Sequence, residues 1–517
     1  MSKENVFHLI EDAAAAHPDK IAFRFQGDEL RYADVMSRAS GMSQLLKRFG
    51  VAQDEPVLFY AQNCPDHACA MIAACHHGAI HAPVNDGFQS QELRHILTNS
   101  EATLAFVAAP LIPRFLDAAA ATGSRCRIVV VGSGDAQDAP SILGRLDDLI
   151  PKGSDAPAAR RVASDPCLIV YTSGSTAMPK AVLHSHGSTG YALNTYADIW
   201  DYRVGDVAVV SPPMSWVFGL ILTSVAMLTK GTTVILLPKF HPERVLEAIE
   251  ANGAQLCFGT MSMYSKMLDV LSKKDFDLSS LRFCMVGGEP CPASSLAPAE
   301  RRFGLRFTQA WAFSENHPLV AMRPTDIDAP LGTAGRPAPG VEIVLRGEDG
   351  VTPTPDGMPG EAWVRGPGAM TCYYGDPDLT AEKIDDNGWI RTGDLLIRDA
   401  AGYISVVGRA TDMIIRNGAN IAPSEVENAI LQFNTVETAA VVGAPDPMSG
   451  EAVIAFVSGK DFAPSNVPDL GTHLRASLAA YKVPSKIIVM TDLPVTSNGK
   501  IDRKALKAEA EHSMELE

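Results

Sequence analysis

The chain has 517 residues, 46% hydrophobic and 20% charged, proportions of a folded globular protein rather than a disordered or fibrous chain, and its length calls for more than one core. A formal net charge of −16 argues against nucleic acid or an anionic membrane as general partner, while leaving room for local basic sites. Nine cysteines without a CxxC pair read as reduced thiols, and the N-terminal Met-Ser-Lys-Glu-Asn-Val-Phe-His lacks the apolar core of a signal peptide; both predict a cytoplasmic location.

Helical patterns from Val35 to Phe49 and Asp66 to His77 alternate with short apolar runs, Pro56 to Tyr60 and Ala102 to Val107, which predicts a helix-covered α/β sheet. Cys75-His76-His77 with His81 invites a metal, but an Ala-rich helix stopped at Gly78 and followed by a strand from Ala79 is the simpler reading, with the histidines at the surface or helix end. Gly132-Ser-Gly134 after the strand Arg127 to Val131 imitates a dinucleotide fingerprint. Gln137 stands in place of the third glycine and no helix pattern follows, so Gly132 to Pro166 is expected to be a surface excursion. The apolar stretch Val217 to Leu228 is shorter than the roughly 20 residues of a membrane span and reads as a buried helix.

Further α/β units follow: Thr232 to Leu237 with a helix from Pro242 to Ala251, then Leu281 to Val286 ending at Gly287-Gly288. From Gly340 to Val407 the pattern changes to short strands with Gly/Asp/Pro turns, Glu342 to Arg346, Glu361 to Arg365 and Tyr403 to Val407, which predicts a small β-rich subdomain. Beyond Gly408-Arg409 an α+β segment is expected, with one helix starting at Pro423 and a second around Leu474 to Tyr481. The predicted class is α/β: a large N-terminal domain (1–409) of helix-covered sheets plus the β-rich subdomain, and a small mobile α+β C-terminal domain (410–517).

The stretch from Tyr171 to Lys180 carries the most chemistry. An apolar strand, Cys167 to Val170, runs into Thr172, Ser173, Gly174, Ser175 and Thr176 and ends at Lys180. Small residues let backbone N–H groups approach an anion, the hydroxyls donate, and the lysine supplies charge. The spacing is not that of the Walker loop, and alone it is also compatible with an ordinary Ser/Gly turn. It is followed in order by Arg391-Thr-Gly-Asp394, Gly408-Arg409, Asn417 to Glu427 and Asn498-Gly-Lys-Ile-Asp502. Together these resemble the core motifs of the adenylate-forming superfamily, in its acyl- and aryl-CoA synthetase branch, over nearly the whole chain.

The resemblance implies a role for each matching residue. Thr172 to Lys180 would hold the β- and γ-phosphates of ATP, and Glu315, in Trp311-Ala312-Phe313-Ser314-Glu315, would help bind Mg²⁺ with those phosphates. Trp311 would pack on adenine beside the Gly287-Gly288-Glu289-Pro290 turn. Asp394 and Arg409 would hold the ribose, and Lys500 would bridge carboxylate and α-phosphate. Trp216, Val217, Met261 and Gly287 would line the acyl pocket, although Trp216 is equally readable as core. Thr411 stands at the hinge position, and Gly418, Ala419 and Asn420 lie in the loop facing the CoA tunnel.

The chemistry suits those residue types. A carboxylate becomes acylating only after its oxygen is turned into a leaving group, by attack on the α-phosphate of ATP. Two like unit charges at 4 Å repel by about 4 kcal/mol at an effective dielectric of 20, so Lys180, Lys500 and the metal must offset the approach of one anion to another. The expected activity is therefore carboxylate:CoA ligation through an acyl-adenylate, with an aromatic, alicyclic or medium-chain acid, ATP and CoA as small-molecule partners. A carrier-protein ligase and a nucleotide-binding pseudoenzyme are the alternatives, and a homodimer is left open. Ala177, Ala181 and Ala312 stand where the family usually has glycine, and a methyl that disfavours positive φ is expected to disturb ATP geometry there.

Overall fold

The computed structural model describes residues 5–134, 139–151, 157–172, 178–289, 291, 293–347, 349–417, 419–446, 448–496 and 501–515. An eight-stranded sheet runs in the order Cys372–Tyr373, Lys180–Ser185, Pro166–Thr172, Ile80–Val84, Pro56–Tyr60, Leu104–Ala108, Arg127–Val131, Ile142–Arg145. A nine-stranded sheet runs Arg336–Pro337, Asn316–Ala321, Phe307–Phe313, Phe283–Gly287, Leu256–Gly259, Val207–Val210, Thr233–Leu236, Ile21–Phe25, Asp28–Arg31. Most neighbours in both sheets are parallel, as expected where helices cover both faces.

Strand periodicity explains how the two sheets share a core. In Pro56–Tyr60, Val57 and Phe59 enter a cluster that also contains Phe23, Val234, Phe258 and Phe283 of the nine-stranded sheet, while Leu58 and Tyr60 face a second cluster built with Ile96 and Phe115. The helix Pro65–His77 begins with Pro at its first turn, ends at left-handed Gly78, and is buried on every side except at His77, so its lack of amphipathicity is that of an interior helix.

A third, antiparallel sheet, Glu342–Arg346, Pro359–Arg365, Ile390–Arg398, Ile404–Arg409, is the expected β-rich subdomain. Beyond it, the strands Ala419–Ile421, Ile414–Arg416, Gly450–Ser458, Thr438–Asp446 and Lys486–Val489 form a fourth sheet. Two clusters drawn only from residues between Ile414 and Met514 pack on its faces, so this C-terminal unit has its own core.

Several expectations need correction. The second C-terminal helix is Val467–Ser477, earlier in the chain than expected, because Ser477 is followed by an extended residue at Leu478 and only a short 3₁₀ turn at Ala480–Lys482; a further helix, Arg503–Glu515, closes the unit. The excursion after Gly132 is not purely surface loop, since Ile142–Arg145 returns as a parallel edge strand beside Arg127–Val131; Gln137 lies outside the described residues. Of the histidines near Gly78, His76 and His77 end the helix, one of the two expected readings, but none forms a surface cluster: His76 is bonded to Ser43 Oγ, His77 to the Val51 carbonyl, and His81 is buried on its strand. No helix among the described residues is long and apolar enough to cross a membrane.

Candidate active site

The strands of the third sheet set Asp394 and Arg409 directly opposite each other, and Arg409 Nε donates to Asp394 Oδ1 at 2.6 Å. Trp311, on the last part of the strand Phe307–Phe313, donates from Nε1 to Asp394 Oδ2 at 2.9 Å. Asp394 is 7% exposed and its own amide donates to Thr392 Oγ1, so the carboxylate is fixed while the Arg409 side chain is more than half exposed. Trp311 belongs to the core of the third sheet, which makes its indole edge the positioner of Asp394.

Ser314 and Glu315 form the turn between the antiparallel strands Phe307–Phe313 and Asn316–Ala321, and the pairing is irregular between Trp311 and Phe313, where exposed Ala312 sits. Two contacts hold that turn. His184 Nε2 donates to the Ser314 carbonyl at 2.7 Å, and the Met370 amide donates to the Glu315 carbonyl at 2.7 Å. Burial holds the His184 imidazole below its ordinary value and hence neutral, which leaves one ring N–H for that bond. Tyr373 donates its hydroxyl to Glu315 Oε1 at 2.6 Å, and burial, then the Glu315 charge, push that phenol up.

Tyr373 also ties in Lys180, which is expected to bind phosphate. Its strand pairs antiparallel with Lys180–Ser185, and Lys180 Nζ lies 5.5 Å from the Tyr373 ring centroid. Thr172 and Lys180, the two ends of the hydroxyl-rich loop, face each other in register across the pair Pro166–Thr172 and Lys180–Ser185. Ser173, Gly174, Ser175, Thr176 and Ala177 lie outside the described residues, as do Pro290, Gly418 and Lys500. Ala181 is a correction: it is a buried residue in regular strand pairing opposite Tyr171, with no positive φ, so its methyl crowds nothing there; Ala312 likewise has no positive φ.

The residues expected to line the acyl pocket lie where three element ends meet. Gly287 ends the strand Phe283–Gly287, and Gly288 follows with φ +82°, the conformation that glycine alone adopts without strain. A methyl on Gly288 would lie 3.9 Å from both Phe218 Cδ1 and Thr260 Cγ2, which places the start of the Phe218–Val225 segment and the cap of the helix Met261–Leu271 beside the turn. Glu289 accepts from the Ser262 amide and hydroxyl, tying the turn to that helix. Met261 is buried, whereas Trp216, Val217 and Phe218 are half-buried among fully buried neighbours.

The buried helix expected from Val217 proves to be π-helical over Phe218–Val225 and α-helical only at Ala226–Leu228. Thr223 and Ser224 hydroxyls donate to the Gly219 carbonyl, satisfying an acceptor that the wider turn releases. Gly219 is obligatory for packing: a Cβ there would stand 2.2 Å from the Pro213 carbonyl oxygen. Thr411 is exposed in the 3₁₀ turn Ala410–Asp412, and Ala419 and Asn420 lie on the strand Ala419–Ile421, away from the Trp311 to Lys180 group along the chain.

With this geometry in hand, comparison with known proteins is decisive. Residues 10–374 match the AMP-binding enzyme family, and residues 425–500 match the AMP-binding enzyme C-terminal domain. The chain belongs to the AMP-binding enzyme family. Among relatives, feruloyl-CoA synthase of Amycolatopsis sp is 34% identical over 94% of this chain and 95% of its own, and indoleacetate–CoA ligase of Aromatoleum aromaticum is 31% identical over 95% of each. ATP-bound MatB from Rhodopseudomonas palustris superposes with a TM-score of 0.90 at 25% identity over 98% of both chains. This member of the family is an ATP-dependent, AMP-forming carboxylate:CoA ligase.

Three groups near these candidate residues were not singled out from the sequence: Tyr373, His184 and, 5.9 Å from the Phe313 ring, Lys383. Tyr373 reaches Glu315 only through pairing of strands nearly two hundred positions apart, a relation no local pattern carries. His184, four residues after Lys180, projects inward on a strand, and the alternation Val182, His184 was the available signal. Lys383 ends the helix Pro377–Lys383, where a basic residue is unremarkable by pattern.

Proposed function

We propose that the ligase acts on an aromatic carboxylic acid, of the size of an aryl-propenoate or aryl-acetate, and that the residues above divide the work as follows. The observation that carries the acid assignment is the Gly288 turn: glycine there puts no side chain toward the Phe218 ring and the Thr260 methyl, each 3.9 Å from where a Cβ would stand, and we read that gap as room for a flat ring. The names of two relatives, a feruloyl-CoA synthase and an indoleacetate–CoA ligase, support the same class.

Asp394 and Arg409 take the ribose. Arg409 donates to Asp394 Oδ1 and Trp311 to Oδ2, so the sugar docks on a carboxylate that is aimed before it arrives. Thr172 to Thr176 and Lys180 take the β- and γ-phosphates. Among the described residues the Glu315 carboxylate accepts from Tyr373, whose ring lies near Lys180, and it fits the hard oxygen donor that Mg²⁺ would share with ATP phosphates. The metal there supplies neutralisation of phosphate charge. The acid's carboxylate attacks the α-phosphorus, its bond to the bridging oxygen breaks, and pyrophosphate leaves with that electron pair. Lys500 spans the two anions as they meet.

The second half-reaction is thiol attack on the acyl carbonyl with AMP departing. We assign Thr411 as the hinge about which residues 410–517 turn, withdrawing Lys500 and bringing Gly418 and the strand bearing Ala419 and Asn420 toward the pantetheine path. A pyrophosphate-release screen with ATP, Mg²⁺ and CoA tests the acid: aromatic acids should saturate at the lowest concentrations. Preference for straight-chain acids overturns that class. Replacing CoA by a holo carrier protein should abolish thioester formation.

A further inference from the structure

The helix Pro377–Lys383 is short and tightly placed. Asp376 caps it by accepting from the Leu379 amide, Pro377 occupies its first turn, and Thr380 Oγ1 accepts from the Tyr373 amide while donating to the Asp376 carbonyl. Its position is therefore slaved to Tyr373, the residue that holds Glu315. At its C-terminal end Lys383 is half-buried, with Nζ 5.9 Å from the Phe313 ring centroid, and no carboxylate of the described residues lies within ion-pair distance of it.

Four charges face this ammonium: Glu315 and Lys180 from the phosphate side, and Asp394 and Arg409 from the ribose side. Burial is the largest influence on it and pulls its pKa down, and the two cations push the same way. A lysine with a purely structural task would be expected to pair with one of these carboxylates; this one, half-buried beside Phe313, forms no such pair among the described residues yet feels both. The α-phosphate of a nucleotide whose ribose sits on Asp394 and whose terminal phosphates reach Lys180 has to lie in that same interval.

We propose that Lys383 is a further catalytic residue, a fixed cation of the large domain that contacts the α-phosphate in ATP and in the acyl-adenylate. This rests on the nucleotide placement proposed above. It gives Lys383 a different signature from Lys500. A cation fixed on the large domain stays in place for both half-reactions, stabilising charge on phosphorus as pyrophosphate leaves and on AMP as the thiol displaces it.

The full-length chain carrying Lys383→Met, which keeps the aliphatic stem, should lose about 10²-fold in acid-dependent ATP–pyrophosphate exchange, the effect of removing one such donor. It should also lose at least about tenfold in thioester formation from presynthesised acyl-adenylate and CoA, with Lys383→Arg restoring most of both. Binding supplies a readout independent of turnover. Lys383→Met should weaken AMP but leave adenosine unchanged, whereas Asp394→Ala should weaken both. Wild-type rates in both half-reactions, or equal weakening of AMP and adenosine by Lys383→Met and by the milder Lys383→Gln, would overturn the assignment. Retention of adenosine and AMP affinity by Asp394→Ala would instead overturn the nucleotide placement on which it rests.

Discussion

The large domain and the C-terminal unit hold their candidate functional groups in opposite ways. In the large domain they are welded into one another: Arg409 and Trp311 both grip Asp394, Tyr373 grips Glu315, and His184 holds the Ser314 carbonyl, all from strands whose registers fix the spacing. In the C-terminal unit Thr411 is exposed on a turn, and the unit has its own two cores. Its polar contacts to the rest include Lys460 with Asp269 and Ser424 with the Val407 carbonyl, both near or at the surface. Exposed pairs of that kind contribute about 0–1 kcal/mol, little resistance to rearrangement. The contrast fits a division in which groups needed throughout are built into sheets, and groups needed for one step ride on a unit that is cheap to move.

The sharpest way to break that division is Lys500→Ala. It should cut acid-dependent ATP–pyrophosphate exchange by about 10³-fold, because the one cation proposed to span both anions is gone, yet leave thioester formation from supplied acyl-adenylate near wild type. Thr411→Pro should reverse the pattern, since a fixed φ at the hinge hinders the turn that the second step needs. Equal loss of both half-reactions in folded Lys500→Ala protein would mean that the two regions do not divide the work.

Asp394→Ala probes the welded side. Losing hydrogen bonds to a charged, buried acceptor costs about 1.5–3 kcal/mol, which corresponds to a KM for ATP raised by roughly ten- to 150-fold, while the KM of the acid at saturating ATP changes less. Arg409→Ala should do less, because its side chain is more than half exposed and Trp311 still aims the carboxylate. The reverse ranking would show that the guanidinium, and not the fixed carboxylate, carries the ribose.

What was legible in the sequence was what short-range pattern encodes. Gly78 at the stop of an Ala-rich run gave the helix from Asp66 to His77, found as Pro65–His77, and Asp394 and Arg409 stood out within motifs on the chain. Cross-sheet relations were not legible. Tyr373 meets Glu315 and Lys180 only once an antiparallel edge strand joins the eight-stranded sheet, and Lys383 faces four charges drawn from elements spread between Lys180 and Arg409. The π-helical turn at Phe218 was hidden for a different reason: its apolar run reads alike for any buried helix, and only the approach of Pro213 to Gly219 and the paired hydroxyls of Thr223 and Ser224 reveal the wider winding. Ala181 was misread because the family's glycine suggested a strained backbone where the strand is regular.

Acidity should separate the two regions by stability. Burial lowers the His67 pKa to about 4 and holds His81, His184 and His317 down as well, all in the large domain; His186, raised by its Cys167 neighbour against the effect of burial, opposes them. A histidine depressed in the folded state takes its proton on unfolding, so stability is lost as pH falls below the ordinary value near 6.5 toward the depressed one. His67 alone would contribute on the order of 1 kcal/mol of loss at pH 5.5. The five tryptophans all precede residue 410, so the fluorescence-detected melting temperature reports the large domain, and it should fall between pH 7 and 5.5. A fluorescence transition indifferent to pH over that window would show that these imidazoles are solvated.

The smallest effect tests the regular strand itself. If Ala181 were a strained substitute for glycine, Ala181→Gly would relieve the phosphate loop and speed adenylation. The structure instead pairs Ala181 with Tyr171 in an antiparallel register that is regular from Leu168 to Thr172, buries its methyl among Tyr171, Leu183 and Ile169, and uses its carbonyl to accept from the Tyr374 amide at 2.8 Å. Glycine there adds backbone entropy to the unfolded chain and removes a packed methyl, a loss of about 0.5–1 kcal/mol with no steric relief to set against it. The variant should therefore melt slightly lower, with exchange kinetics and ATP dependence unchanged. Faster exchange at equal or higher stability would show that the strand end beside Lys180 must loosen when ATP binds, and that the large domain is less rigid at its phosphate side than at Asp394.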